Sequence, residues 1–297
     1  MRRLEGDDHR LMVYELKDVG VRINGKDILQ SVSCTLQKGR WISVIGQAGA
    51  GKSTFAQVIT GLTPFCTGEY THNGQSLPGD RRGKRTAVPQ AGYVFQFPEQ
   101  QIFETTVYKE LAFALKVKGA APDKLDEAVK SVMGQLGLPE SLLQQNPLQL
   151  SGGLKRLVAI ASVLIAEPEL LILDEPTAGL DPLSRIALLK KLQAWQREKQ
   201  RTVLFISHQI EDVAEYSDEV MIFTQGRLLA HLEVNELFLR QSKLLEQAGL
   251  PLPEPVQLLR WMEAASGCSL EPASCREEDI LRLVRPVWQS RGLHHGG

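Results

Sequence analysis

Apolar and polar residues alternate near the start of the chain. Tyr14, Leu16, Val19, Val21 and Ile23 punctuate polar neighbours, the mark of a half-buried strand. Asn24-Gly25 then signals a tight hairpin turn, and Val32, Cys34 and Leu36 alternate again before Lys38-Gly39. A further strand over 68–70 leads to Asn73-Gly74. Antiparallel strands therefore flank a different pattern: the unbroken apolar run Trp41-Ile42-Ser43-Val44-Ile45, which suits a buried strand, and Phe55-Ala56-Gln57-Val58-Ile59, which continues at helical spacing.

Beyond residue 90 the periods lengthen. Gly92-Tyr93-Val94-Phe95 predicts a strand ending at Gln96. Leu125, Ala128, Val129, Val132, Met133 and Leu136 recur at i, i+3, i+4, i+7, i+8 and i+11, so 122–136 is an amphipathic helix within a helical insert over about 105–147. Ser151 is placed to cap a long helix with Leu157, Ile160 and Leu164 as its buried face. Leu170-Leu171-Ile172-Leu173 and Val203-Leu204-Phe205-Ile206 have the form of buried parallel strands, separated by a helix from Pro182 to about Arg197. Val220-Met221-Ile222-Phe223, a turn at Gln225-Gly226 and Leu228-Leu229 make a final hairpin.

After Val234 the pattern changes to helices over 236–247, 256–265 and 275–288, the last with Ser274 and Glu277 fitting a capping box. Their apolar stripes suit either a small self-packed bundle or a subunit-contact surface. The order of elements predicts an α/β fold for residues 12–232 and a helical extension over 233–297. His294-His295-Gly296-Gly297 reads as a frayed end or an added tag.

Composition changes this picture little. The 297 residues are 43% hydrophobic and 23% charged, ordinary for a globular chain, and the net charge of −1 gives no global electrostatic case for nucleic acid or anionic lipid. The basic stretch Arg81, Arg82, Lys84 and Arg85 reads as a solvated connection. The most apolar stretch, 157–166, is about half of the roughly twenty residues a membrane span needs, and no apolar run follows the basic start as in a signal peptide. Cys34, Cys66, Cys268 and Cys275 lack metal-site spacing and read as four reduced thiols.

The candidate chemistry sits between the strand at 41–45 and the helix after it. Gly46, Gln47, Ala48, Gly49, Ala50, Gly51, Lys52, Ser53 and Thr54 fit the phosphate-loop pattern of Gly, four residues, then Gly-Lys-Ser/Thr. The glycines let backbone N–H groups turn inward around anionic oxygens, and the helix adds its positive end. Lys52 can reach the β- and γ-phosphates, and Ser53 can place a hydroxyl on Mg²⁺. Asp174, ending an apolar strand, is placed to hold Mg²⁺ through water, and Glu175 beside it can act as general base on an attacking water. Gln96 can bridge Mg²⁺ or that water without charge, and His208 can donate to a γ-phosphate.

The phosphate loop, Gln96, Leu150-Ser151-Gly152-Gly153, Leu173-Asp174-Glu175, Gly179-Leu180-Asp181 and His208, in this order and spacing, resemble the ATP-binding subunit of ABC transporters over residues 12–232. The resemblance implies a P-loop ATPase using ATP and Mg²⁺, with a β-rich nucleotide-facing layer and a helical signature subdomain at about 105–166. It also implies a nucleotide-sandwich dimer, homo- or heteromeric. There Ser151 and Gly153 of one subunit complete the γ-phosphate site held by Lys52 of the other, and Asp181 communicates across the interface.

Residues 95–103 (Phe95-Gln96-Phe97-Pro98-Glu99-Gln100-Gln101-Ile102-Phe103), Lys155-Arg156-Leu157-Val158-Ala159-Ile160-Ala161 and Asp212-Val213-Ala214-Glu215-Tyr216 resemble the energy-coupling factor importers of vitamins and transition metals, more closely their second ATPase type. Gly249-Leu250-Pro251-Leu252-Pro253 is similar to that group's C-terminal extension. Such ATPases sit at the cytoplasmic face of the membrane, beneath a membrane coupling protein that holds a substrate-binding membrane subunit. The segment 97–103 is then expected to be the coupling surface, with Phe97, Ile102 and Phe103 as apolar anchors and Glu99 and Gln101 exposed; the alternative is that Phe97 and Phe103 face the protein's own core.

Two positions depart from the family pattern. Leu154 stands where a Gln usually follows the signature, and the aromatic that usually stacks on adenine is replaced by Ile23 or Arg22. Neither removes a hydrolytic group. A GTPase reading is disfavoured because Asn-Lys-x-Asp is absent. A non-transport ABC ATPase is disfavoured by the lack of an internal repeat or heptad run. An ABC exporter ATPase is the nearest alternative.

Overall fold

The protein is described by a computed structural model covering residues 13–77 and 90–290. The basic stretch 81–85, the start 1–8 and the histidine-bearing end 294–297 lie outside the described residues. Strands β1 (Val13–Ile23) and β2 (Lys26–Gln37) form an antiparallel hairpin. Asn24 and Gly25 close it at φ of 50° and 76°, the pair of left-handed conformations that a two-residue turn needs. Strand β3 (Trp41–Ile45) leads into helix α1 (Lys52–Ile59), and β4 (Thr67–His72) and β5 (Gln75–Ser76) complete a four-stranded sheet in the order β2-β1-β4-β5.

The second sheet orders its strands β10-β9-β3-β8-β7-β6. These are β6 (Ala91–Val94), β7 (Leu170–Asp174), β8 (Thr202–Ile206), β9 (Glu219–Thr224) and β10 (Arg227–Glu233), all parallel to β3 except β10, which closes a hairpin on β9. Between them run α2 (Val107–Val117), α3 (Pro122–Leu136), α4 (Gly152–Leu164), α5 (Pro182–Glu198) and α6 (Ile210–Tyr216).

The unbroken apolar runs follow from burial on both faces of this sheet. Leu171, Leu173, Val203 and Phe205 join the core under α2–α5, whereas Leu170, Ile172, Leu204 and Ile206 join a second core with α1 and the hairpin residues Tyr14 and Leu16. Because β3, β6, β7 and β8 are parallel, their carboxyl ends deliver the phosphate loop, Gln96, Asp174-Glu175 and His208 to one edge.

The α4 face differs in detail from the expected one. Ile160 and Leu164 are buried, but Leu157 is only half-buried, and Val158 and the side chain of Arg156 go inside. The helix is rotated because Arg156 has buried polar partners, described below.

The extension also departs from its expected form. The uninterrupted helix over 236–247 is replaced by a wide turn at Glu236–Arg240, in which Gln241 N donates to Glu236 O five residues back, and a separate short helix α7 (Lys243–Gln247). Helix α8 (Glu254–Ser266) follows, then α9 (Glu277–Ser290). The Ser274–Glu277 capping box does not form. Ser274 Oγ instead accepts from Arg276 N (3.2 Å) and donates to Asp279 Oδ2 (2.6 Å), a tight local turn that competes with the reciprocal cap. Nor is the extension a self-contained bundle. Leu237, Phe238, Leu245, Val256, Met262 and Ile280 share one core with Ile45, Ile210, Val213, Val220 and Ile222.

Phe238 is fully buried at this junction. Phe238→Ala is predicted to cost about 3–5 kcal/mol through lost burial and a cavity, read as a lower midpoint in urea unfolding. A loss under about 1 kcal/mol would show that the extension is not anchored through this side chain.

Candidate functional site

The phosphate loop is a backbone device that two of its glycines make sterically necessary. Gly46 sits at φ 150°, where a Cβ would meet Phe223 O at 2.2 Å; Gly51 sits at φ 99°, where one would lie 2.8 Å from Leu29 Cδ2 and 3.1 Å from Ile28 O. The β1–β2 hairpin thus packs directly against the loop. Gly51 caps α1 without a side-chain bond, so the helix's first amides face the loop uncapped by a side chain. Gln47, Ala48 and Gly49 are exposed, Ala50 is buried and Thr54 half-buried.

Lys52 is buried, and its Nζ donates to Gly46 O (2.8 Å) and Gln47 O (2.9 Å). Burial lowers its pKa, against the opposing pull of Glu175 and Asp174. The ammonium therefore rests on the rim of its own cradle, with both carboxylates in electrostatic reach.

Those carboxylates are held differently. Ser53 Oγ donates to Asp174 Oδ1 (3.3 Å) and Tyr93 OH to Asp174 Oδ2 (2.8 Å). Burial first, then Asp174, pushes the Tyr93 phenol well above its usual range, so it stays a donor. Glu175 takes the left-handed conformation at φ 50°, and its N–H donates to Ile206 O (3.0 Å), which turns its side chain off the strand line. Gln96 Nε2 donates to Glu175 Oε2 (3.1 Å), and His208 Nε2 lies 2.8 Å from Glu175 Oε1. One carboxylate is thus gripped on both oxygens by residues from the segments just after β6 and β8.

Ser151, Gly153 and Asp181 form a separate, exposed set. Ser151 Oγ accepts weakly from Leu154 N (3.5 Å), and Asp181 Oδ1 accepts from Ser184 N (3.0 Å), which caps α5; the Ser184 side chain first, and this N–H second, lower the Asp181 pKa. Leu154 is half-buried and packs toward the helical core. At the hairpin tip Ile23 is exposed, whereas Arg22 is tied to Asp27 at 2.6 Å.

The expected exposure of Glu99 and of Ile102 is overturned. Ile102 is buried, and Glu99 makes a bidentate pair with Arg156, Nη2 to Oε1 at 3.0 Å and Nε to Oε2 at 3.1 Å. Burial raises the Glu99 pKa, but bonds from Arg156 and a backbone N–H hold it below the usual carboxylate range. Arg156 Nη1 also donates to Ala178 O, so one buried guanidinium ties together the segment after Gln96, the signature helix α4 and the loop before Asp181. Sequence reasoning missed this bridge and Tyr93. A lone arginine in the apolar run of α4 was the available signal, since a buried charge requires a partner.

The ABC transporter family profile matches residues 29–178. The chain therefore belongs to the ABC transporters' ATP-binding family, whose members hydrolyse ATP, and within it to the energy-coupling factor transporter ATP-binding proteins. It is 37% identical over 235 residues to the energy-coupling factor transporter ATP-binding protein EcfA2 of Acetivibrio thermocellus, covering 79% of this chain and 83% of that one. It is 36% identical over 268 residues to EcfA2 of Geobacillus kaustophilus, covering 90% and 92%. Among solved structures it is similar to CbiO1 of Clostridium perfringens, part of an ABC transporter complex, with a TM-score of 0.72, 29% identity and coverage of 84% and 99%.

Glu99→Ala should strand the Arg156 charge in a largely buried position and destabilise the fold by about 3–5 kcal/mol. Glu99→Leu/Arg156→Met, which removes both charges, should recover most of that loss in denaturant titrations. Additive losses in the double-mutant cycle would show that the two side chains do not act as a pair.

Proposed function

We propose that Glu175 is the general base for ATP hydrolysis, with Gln96 and His208 orienting it and the phosphate loop binding the triphosphate. The observation carrying this reading is the two-sided grip on a carboxylate beside Lys52. In the proposed mechanism Lys52 releases the loop carbonyls for β- and γ-phosphate oxygens, and the loop amides and the α1 N-terminus bind the rest. Glu175 takes a proton from a water placed in line with the γ-phosphate, and His208 Nε2 and Gln96 Nε2 fix its two oxygens. His208 is also assigned as a donor to the γ-phosphate once nucleotide is bound.

Ser53 Oγ and Asp174, 3.3 Å apart, are hard oxygen donors of the kind Mg²⁺ takes, and Gln96 supplies another amide oxygen at the same edge. Mg²⁺ bound there would neutralise charge on the transferred phosphoryl group.

Ser151, Gly153 and Asp181 cannot complete this site within one chain as they stand, exposed and without a bond to the phosphate loop. They are assigned to the site of a second ATPase subunit in a nucleotide sandwich. Residues 12–232 are taken as the ATP-binding domain, with 105–166 as its helical part, and 233–297 as the extension.

The described residues contain no helix long and apolar enough to cross a membrane, so attachment at the cytoplasmic face is assigned to a membrane coupling protein that carries the substrate-binding subunit. Phe97, Phe103 and Phe113 offer the surface for it. Phe103 is 60% and Phe113 42% exposed, and their rings meet edge to face at 4.8 Å. Aromatics of this kind anchor interfaces. The transported cargo is read as a vitamin or a transition metal ion, by kinship with the importer group.

Glu175→Gln should keep ATP binding and slow hydrolysis by about 10²–10⁴ in the assembled complex; wild-type turnover would assign the base elsewhere. Phe103→Ser/Phe113→Ser should bind ATP normally yet lose co-purification with the membrane subunits. Retained co-purification would move the coupling surface off these rings.

A further inference from the structure

Between α5 and α6 of the ATPase domain and the helices of the extension lies an open cleft of about 730 Å³. That is the size of a small-molecule site. It is lined from one side by Arg185, Asp212 and Glu215 and from the other by Leu258 of α8 and Glu277 of α9, and its acids outnumber its two bases, Arg185 and Lys190.

One wall carries an unmet demand. Asp212 is only 3% exposed, yet its Oδ2 has no hydrogen-bond partner. The nearest cation does not supply one. Arg185 Nε lies 3.5 Å from Asp212 Oδ1 and is itself without a hydrogen bond, because the guanidinium is drawn away to donate through Nη1 to Gln209 Oε1 (3.1 Å). A buried carboxylate oxygen in this state is costly unless a donor reaches it.

We infer that this cavity binds a small organic cation, an alkylamine or guanidine with a short apolar stem. Its charged head would donate to Glu215 and pair electrostatically with Asp212, and its stem would lie along Leu258. A metal ion is a poorer fit, since among the described residues no three His, Cys, Asp or Glu side chains converge as metal ligands. Burial pushes Asp212 up to about 6 against the opposing charge of Arg185, and burial likewise raises Glu215, so both carboxyls gain by meeting a cation.

The position gives such a ligand a route to the chemistry. Helix α5 begins at the capping residue Asp181, and Gln209, which holds Arg185, directly follows His208. A cation at Asp212 replaces part of the demand on Arg185 and biases the α5–α6 contact on which both catalytic loops end.

The test is calorimetric titration of the full-length protein with agmatine, which carries both a guanidinium and an amine on a butyl stem. Hexane-1,6-diol serves as the uncharged control of similar length. Saturable binding of agmatine but not the diol is expected. Asp212→Asn and Glu215→Gln should each weaken it by about tenfold or more, the usual loss for a hydrogen bond to a charged group. Leu258→Trp, which fills the cavity without touching a charge, should weaken it as well. Thermal unfolding of each variant without ligand establishes that it is folded. Non-saturable heats, equal binding of the diol, or folded Glu215→Gln and Leu258→Trp proteins that bind agmatine as tightly as wild type would each overturn the assignment.

Discussion

The grip on Glu175 is the interaction on which the site depends. A carboxylate can serve as a base only if it points at the water and not at the nearest cation, and Lys52 is close enough to compete for it. Two features prevent that capture. The left-handed backbone at Glu175 swings its side chain off the β7 line, and Gln96 and His208 then occupy its two oxygens. Asp174, one residue earlier, is kept apart by Ser53 and Tyr93. Adjacent acids thereby receive different surroundings, one bonded to the hydroxyl at the start of α1 and one held between Gln96 and His208.

This separation rests on the parallel sheet. Only strands running in the same direction, buried on both faces, can bring the ends of β3, β6, β7 and β8 to one edge. The loops leaving those strands are also tied to one another: the Arg156 guanidinium joins Glu99, just after Gln96, to α4 and to Ala178 in the loop that ends at Asp181. In the proposed mechanism this bridge would carry a closing movement at Gln96 to the face assigned to the partner subunit.

Much of this was legible in the sequence because it is written in local patterns. The phosphate loop, the two apolar strands ending in Asp174-Glu175 and Ser207-His208, and the Asn24-Gly25 hairpin each follow from the steric needs of neighbouring residues. The chain order of Gln96, Ser151, Asp174, Glu175, Asp181 and His208 carried the family. What was not legible depends on contacts between distant segments. Glu99 looked like a surface acid because its partner lies 57 residues away on another helix. Leu157 seemed to belong to the buried stripe because helical period alone does not reveal that a charged neighbour goes inside. The shared core around Phe238 likewise comes from packing against β3, β9 and α6, which no stripe within the extension records.

The most direct measurement is steady-state ATP hydrolysis by the assembled complex carrying Gln96→Ala, a change that frees one Glu175 oxygen and leaves the phosphate loop intact. If the posture of Glu175 sets the rate, kcat falls while the KM for ATP stays within a few-fold of wild type, the signature of an interaction needed in the transition state and not for binding. An unchanged kcat would contradict the central claim that this grip organises the chemistry.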